Sequence, residues 1–374
     1  MALRIAFTGD ISFSEKFKDG WQRADLLDAG ITDFLESAHV VVGNVESPLT
    51  REGKQTQNYL SHASAPEAGE YLERHNIRVW SLANNHIMDC GQQGFKDTLE
   101  NAKANGCRVI GAGMDVDAAS EPAVVEDGNV RVALFSIANN WSDVAVRNDR
   151  PGALTWNDID VLKRRIEEIR DTVNWVVLVA HGGDEYSKVP FPYIRDQYLR
   201  FLDLGVDIVV AHHPHVVENY ERVDGKAIFY SLGNFIFDTD NQRRFRNTDT
   251  GILLGIDFSE DRYSLNHLAT RIDREAGTVC RTDTPDIFCN IPAKDYPQVW
   301  SVAARHYRQI DKKRRTSFNP TLAKMPGFLY AVYEVYTCRR PRDRQLQLGR
   351  LKARFNSVDE KSLGKLGEYL AGSE

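Results

Sequence analysis

Short apolar runs of strand length punctuate the first 211 residues of this chain. They fall at 3–8, 39–43, 77–82, 107–110, 130–137, 174–180 and 206–211. Most are continuous Val/Ile-rich runs rather than alternations, the pattern of strands buried on both faces. Between them, helical spacing of apolar positions marks 24–37, 66–75, 91–105, 157–171 and 194–204. Trp156-Asn157-Asp158-Ile159 supplies an N-cap for the charged helix 158–171. Such strand–helix alternation predicts a layered α/β domain. Past His215 the pattern changes. Val216 to Arg222, Asp224-Gly225 and Ala227 to Ser231 read as a hairpin, and 251–258 and 263–272 as further strands. These predict a second, more β-rich sheet packed on the first.

The last hundred residues differ again. They hold Pro285, Pro292, Pro297, Pro320, Pro326 and Pro341 and read as helices at 295–313, 327–338 and 342–356. The chain therefore divides into a domain at 1–275 and a basic, helix-rich extension at 276–374. The extension carries 18 Lys+Arg against 10 Asp+Glu, so a net −6 for the whole chain hides −14 on the body. An acidic body with a basic tail assigns the two parts different duties or only differently signed surfaces. The apolar, aromatic stretch 327–338 followed by Arg339-Arg340-Pro341-Arg342 reads as a core-packing helix with a charged end. The alternative is a peripheral contact, through 327–342, with a membrane surface or a lipid-linked substrate.

Composition narrows the class. Hydrophobic content of 42% and charge of 27% are those of a soluble globular protein. The cysteines Cys90, Cys107, Cys280, Cys289 and Cys338 form no Cys-x-x-Cys pair, which argues against a zinc knuckle or a disulfide framework and for a reducing compartment. No run is apolar and long enough for a membrane span. Met1 to Phe7 does not read as a signal peptide, so a cytoplasmic location, peripheral to the inner face of the membrane, is expected.

The chemistry-bearing residues gather just past predicted strands, where α/β sheets place their sites. Gly9-Asp10 follows 3–8, Asn44-Val45-Glu46 follows 39–43, and Asn84-Asn85-His86 follows 77–82 with Asp89 close behind. His181-Gly182-Gly183-Asp184-Glu185 follows 174–180, and His212-His213-Pro214-His215 follows 206–211. In extended backbone His213 and His215 aim the same way. Singly, each cluster reads as a turn or a satisfied polar strand end. Five at equivalent positions point to one site. Carboxylates, imidazoles and an amide without thiolate suit Mn, Fe, Zn or Mg. Two such divalent ions can share a bridging carboxylate and promote in-line attack at phosphorus.

These residues also resemble a family. Thr8-Gly9-Asp10-Ile11, Asn44-Val45-Glu46-Ser47-Pro48-Leu49, Leu82 to Gly91, Gly111-Ala112-Gly113, Val179 to Tyr186, Ala211 to Val216 and Phe229 to Phe235 resemble, in order, the blocks of the CapA family of capsule and poly-γ-glutamate biosynthesis proteins. That family resembles a branch of the calcineurin-like metallophosphoesterases. The resemblance implies a four-layer α/β/β/α metallophosphatase-like sandwich, here with the helical C-terminal extension. It implies that Asp10 and His215 bind a first metal, that Asn85, His181 and His213 bind a second, and that Glu46 bridges them. It implies His86 as the acid that protonates the leaving group, with Asp89 orienting it. Asn84, Ser231 and Asn234 would shape the pocket or merely cap backbone. Other superfamily members carry a His two residues after the first Asp, where this chain has Ser12, and an Asp where it has Glu46. The first metal would therefore lack a nitrogen ligand and favour Mn or Mg; a one-metal or degenerate site is the alternative.

The reading is thus a metal-dependent hydrolase or phosphotransferase acting on a phosphorylated or acidic, polymer-related substrate. Amide chemistry on γ-glutamyl chains and a non-catalytic scaffold in a polymer synthase are the alternatives. The acidic body and the lack of a binding motif argue against nucleic acid.

Overall fold

The computed structural model describes residues 2–53, 61–304, 307 and 310. The strands expected in the first 211 residues form at Leu3–Ile11, Val40–Val45, Ile77–Ser81, Arg108–Ile110, Val130–Ala138, Trp175–His181 and Ile208–His212. The expected helices form at Ala29–Glu36, Ala68–Arg74, Gly91–Ala104, Ile159–Ile169 and Pro192–Asp203. The first starts later than its apolar pattern, because the Asp28 side chain caps it by accepting from the Gly30 and Ile31 N–H groups. The Trp156–Asp158 turn carries a capping box between Thr155 and Asp158 and leads into Ile159–Ile169.

Two sheets result. One runs Thr278–Arg281, Tyr263–Asp273, Thr250–Phe258, Leu3–Ile11, Val40–Val45, Ile77–Ser81, Arg108–Ile110, with Asn234–Ile236 added beside Leu3–Ile11. Leu3–Ile11 to Arg108–Ile110 pair in parallel. The other runs Tyr220–Val223, Lys226–Phe229, Ile208–His212, Trp175–His181, Val130–Ala138, Ala123–Asp127, parallel through its middle four.

Side-chain alternation along single strands makes the layers. Ile5 and Phe7 pack with Val177, Val179, Ile208 and Val210 of the opposite sheet. Ala6, between them, packs instead with Ile31, Leu35, Leu72 and Phe95 of the helices. On the second sheet Val176, Leu178 and Ala180 turn the other way, onto Leu162, Ile166, Tyr198 and Phe201. The order is helix, sheet, sheet, helix. Both strand faces are apolar because both are covered, at about 1.5–3 kcal/mol per large side chain buried.

One expectation fails. The strands after His215 do not build a sheet of their own. The Tyr220–Phe229 hairpin extends the sheet that holds Ile208–His212, while Thr250–Phe258 and Tyr263–Asp273 return to pair beside Leu3–Ile11. The second sheet instead starts at Val130–Ala138 and Ala123–Asp127. Pairing over such distances leaves no mark in local periodicity.

Residue 275 falls in the turn between Tyr263–Asp273 and Thr278–Arg281, which pair antiparallel. Beyond it, residues 296–304 are helical, Tyr296 donates its hydroxyl to the Pro190 carbonyl (2.7 Å), and the Tyr307 ring meets Phe191 edge-on at 4.6 Å. The helices expected at 327–338 and 342–356, and the membrane reading of 327–342, lie outside the described residues. Among the described residues no helix is long and apolar enough to cross a membrane.

Candidate metal centre

The parallel strands deliver their polar C-terminal ends to one place. Asp10 stands near the end of Leu3–Ile11, Glu46 directly after Val40–Val45, and His181 ends Trp175–His181. Gly9 makes the placement of Asp10 feasible: a Cβ there would stand 2.3 Å from the Gly233 carbonyl oxygen. With glycine, the Asp10 N–H donates to that same oxygen at 2.9 Å.

Two trios that could hold a metal ion form among the described residues. Glu46, His181 and His213 offer atoms that all lie within 4.8 Å of one another, and so do Asp10, Glu46 and His215. All are buried, and Glu46 belongs to both trios. Across them, His181 Nε2 is 3.4 Å from Glu46 Oε1, His215 Nε2 is 3.8 Å from that oxygen, and His215 Nδ1 is 3.2 Å from Asp10 Oδ2. Asn85 is beside them: its Oδ1 accepts from His181 Nε2–H at 2.8 Å. His213 and His215 do not aim together from extended backbone. Ile208–His212 stops before them, and φ of 99° at His213 and 57° at His215 turns each into a different trio. Non-glycine residues in that region are uncommon, and such strain is found at functional sites.

Neighbouring polar groups set the ring orientations. His215 Nδ1–H donates to Asn234 Oδ1 (3.0 Å), while Asn234 Nδ2 donates to Gln242 Oε1 and the Thr248 carbonyl. That fixes the amide and turns His215 Nε2 toward Glu46, the orientation a metal-binding imidazole requires. His86 Nδ1–H donates to Asp89 Oδ2 at 2.8 Å, and the same oxygen accepts the His62 N–H at 2.6 Å. Asn84 shapes the loop, its side chain joining the Val45 carbonyl to the His86 N–H. Ser231 Oγ accepts from the Gly233 N–H.

The electrostatics describe a place that wants positive charge. Glu46 is fully buried and neither of its oxygens accepts a hydrogen bond; Asp10 Oδ2 accepts none either. Burial, then the Asp10 charge, pushes the Glu46 carboxyl up to about 8. Burial would also raise Asp10, but the imidazoles of His212 and His215 hold it well below the ordinary range. Burial pushes His181 down to about 3, so it stays neutral as a ligand must. Burial opposes a charge on His215, yet Glu46 and Asp10 lift it to about 9. Orphaned buried carboxylates are costly without a cation or donors. Carboxylate, imidazole and amide donors without thiolate fit a divalent cation.

Sequence reasoning missed four neighbours. His62 meets His86 edge-on at 4.3 Å and reaches Ser14, which hydrogen-bonds Ser12. Its loop follows no predicted strand, so nothing local marked it. The Trp141 ring packs on His213 (5.0 Å) and His181 (5.8 Å). Asn44 Nδ2 donates to Asp10 Oδ1 at 2.8 Å and stands 3.2 Å from His181 Nδ1. His212 Nδ1 lies 3.1 Å from Asp10 Oδ1. The last two stood in clusters that were legible; their roles were not.

Residues 4–239 match the model of the family described as bacterial capsule synthesis protein PGA_cap. The chain belongs to the PGA_cap family. "PGA biosynthesis protein CapA" of Bacillus subtilis is 32% identical over 63% of this chain and 63% of its own length. "Capsule biosynthesis protein CapA" of Bacillus anthracis is 31% identical over 63% of this chain and 60% of its own. A "probable polyglutamine synthesis accessory protein" of Mycobacterium tuberculosis is 30% identical over 52% and 54%. The chain thus spans less than two thirds of the curated relatives it matches. Among solved structures, a 5′-nucleotidase precursor from Thermus thermophilus aligns with 74% of this chain and 56% of its own, at 15% identity and a TM-score of 0.45.

Proposed function

We propose that this PGA_cap protein is a metal-dependent hydrolase or phosphotransferase that acts on a phosphate ester in capsule or polymer biosynthesis. The observation that carries the reading is Glu46: a fully buried carboxylate, free of hydrogen bonds, common to two ligand trios. Asp10, Glu46 and His215 would hold one divalent ion, and Glu46, His181 and His213, with Asn85, another. Mn, Fe, Zn and Mg are the ions such donors suit. Bound there, the ions supply Lewis-acid polarisation of the phosphoryl group and activation of water.

The chain's own residues do the rest. His86, held at Nδ1 by Asp89, keeps Nε2 for the leaving-group oxygen and gives it a proton. Burial lowers the His86 pKa, but Asp89 and Glu46 more than restore it, so the ring is raised above the ordinary imidazole value, the direction that favours a proton donor. Such a positioned acid contributes about 10²–10⁴-fold. Removing His213 tests the assignment: His213→Ala should lose bound metal by elemental analysis and lose turnover on phosphate esters. Full metal content with unchanged turnover would overturn it.

A second reading rests on the relatives' names, which attach them to PGA biosynthesis and to polyglutamine synthesis. In it the same centre acts on the amide carbonyl of a γ-glutamyl chain. A panel of phosphate esters set against γ-glutamyl peptides separates the two: release of phosphate supports the first, release of glutamate the second.

A further inference from the structure

His212 is the one histidine of the His212–His215 cluster that neither ligand trio contains. It is 2% exposed, ends the strand Ile208–His212, and reaches from the second sheet across to Asp10 on the first. The two oxygens of Asp10 meet different surroundings. Oδ1 accepts from Asn44 Nδ2 at 2.8 Å and has His212 Nδ1 at 3.1 Å. Oδ2 accepts no hydrogen bond and lies 3.2 Å from His215 Nδ1, on the side of the Asp10–Glu46–His215 trio.

We propose that His212 is a positioning residue, which with Asn44 pins Asp10 Oδ1 so that Oδ2 is presented to the metal. Two facts favour this over a ligand role. Among the described residues His212 closes no ion-sized group with the other donors, and its contact is made to the oxygen already engaged by Asn44. The 3.1 Å approach is an ion-pair contact rather than a well-aligned hydrogen bond. Contacts of this kind are often loose before the ligand binds and tighten afterwards. Ligating carboxylates are themselves held by outer partners, and loss of such a partner weakens metal binding by about 10–100-fold. Because Asp10 and His212 belong to different sheets, the contact also sets how far apart the two halves of the ligand set stand.

This inference rests on the metal-centre reading, and its test keeps the two apart. Mn²⁺ is titrated into the full chain, with binding followed by calorimetry and by electron paramagnetic resonance. His212→Ala should keep the number of ions bound by wild type but weaken the binding by about 10–100-fold. His212→Asn places an amide N–H where Nδ1 stood and should restore most of the affinity; His212→Gln, whose amide mimics Nε2, should not. Asn44→Ala should weaken binding likewise, and the two losses should be non-additive because both act on one oxygen. A His212→Ala protein that loses one ion would make His212 a ligand and overturn the proposal. Unchanged affinity, or equal rescue by Asn and Gln, would overturn it while leaving the metal centre standing. Wild type that binds no Mn²⁺, Fe²⁺, Zn²⁺ or Mg²⁺ would end both. Melting curves in chelator distinguish a folding defect, which the Asn variant would share, from a binding defect, which it would not.

Discussion

Replacing Glu46 with Gln separates what the fold needs from what the site needs. Glu46 is fully buried, accepts no hydrogen bond and shares its trio with the Asp10 carboxylate. In the ion-free protein its carboxyl keeps a proton up to about 8, against an ordinary value of 4.5. Between those values the native state binds more protons than the unfolded chain, so stability falls as pH rises. At 1.36 kcal/mol per unit, the penalty near pH 7 is about 3 kcal/mol. Gln removes the charge but buries an amide with incomplete hydrogen bonds, which gives back about 1 kcal/mol. In chelator, Glu46→Gln should therefore be about 2 kcal/mol more stable than wild type near pH 7, about 3 °C in Tm for a domain of this size. The difference should shrink as pH falls and be gone by about pH 4, below the ordinary value, where both states hold the proton. Mn²⁺ reverses the order. At 100 times Kd a bound ion adds about 2.7 kcal/mol to wild type, and the variant, without the shared carboxylate, gains little. Thermal melts with EDTA and with MnCl₂, at both pH values, measure this. A variant that melts below wild type in EDTA near pH 7, or that gains as much from Mn²⁺, would refute the reasoning.

Three further outcomes are expected. His86→Ala and Asp89→Asn should reduce turnover, His86 by about 10²–10⁴-fold, while metal content by elemental analysis stays at the wild-type level; loss of metal would place His86 among the ligands instead. Asp89→Asn should also lower the upper pH limit of activity, since Asp89 is the chief group that raises His86; an unshifted profile would remove Asp89 from that role. Gly9→Ala should destabilise by about 1–3 kcal/mol through overpacking, because its Cβ would meet the Gly233 oxygen at 2.3 Å. It should also weaken metal binding, since Asn234, the partner of His215, is the next residue; a variant with wild-type Tm and affinity would contradict the packing described.

Local pattern carried the strands and helices before residue 211, because a strand covered on both faces must be apolar throughout and a helix on a sheet must be apolar on one side. The chain itself therefore determined that a layered α/β domain forms and that Asp10, Glu46, Asn85, His86, His181, His213 and His215 lie at or just past strand ends. Tertiary structure decided the rest. It sent Thr250–Phe258 and Tyr263–Asp273 back to the first sheet, since strand pairing depends on which edge is open and not on the strand's own residues. It divided His213 from His215 by backbone angles that a sequence does not display. It brought His62 against His86, Trp141 against His181 and His213, and Asn44 and His212 against Asp10, because contacts between residues far apart in the chain exist only once strands and sheets have assembled. Residue type was written in the chain; which oxygen of Asp10 is held and which is offered was settled by the meeting of the sheets.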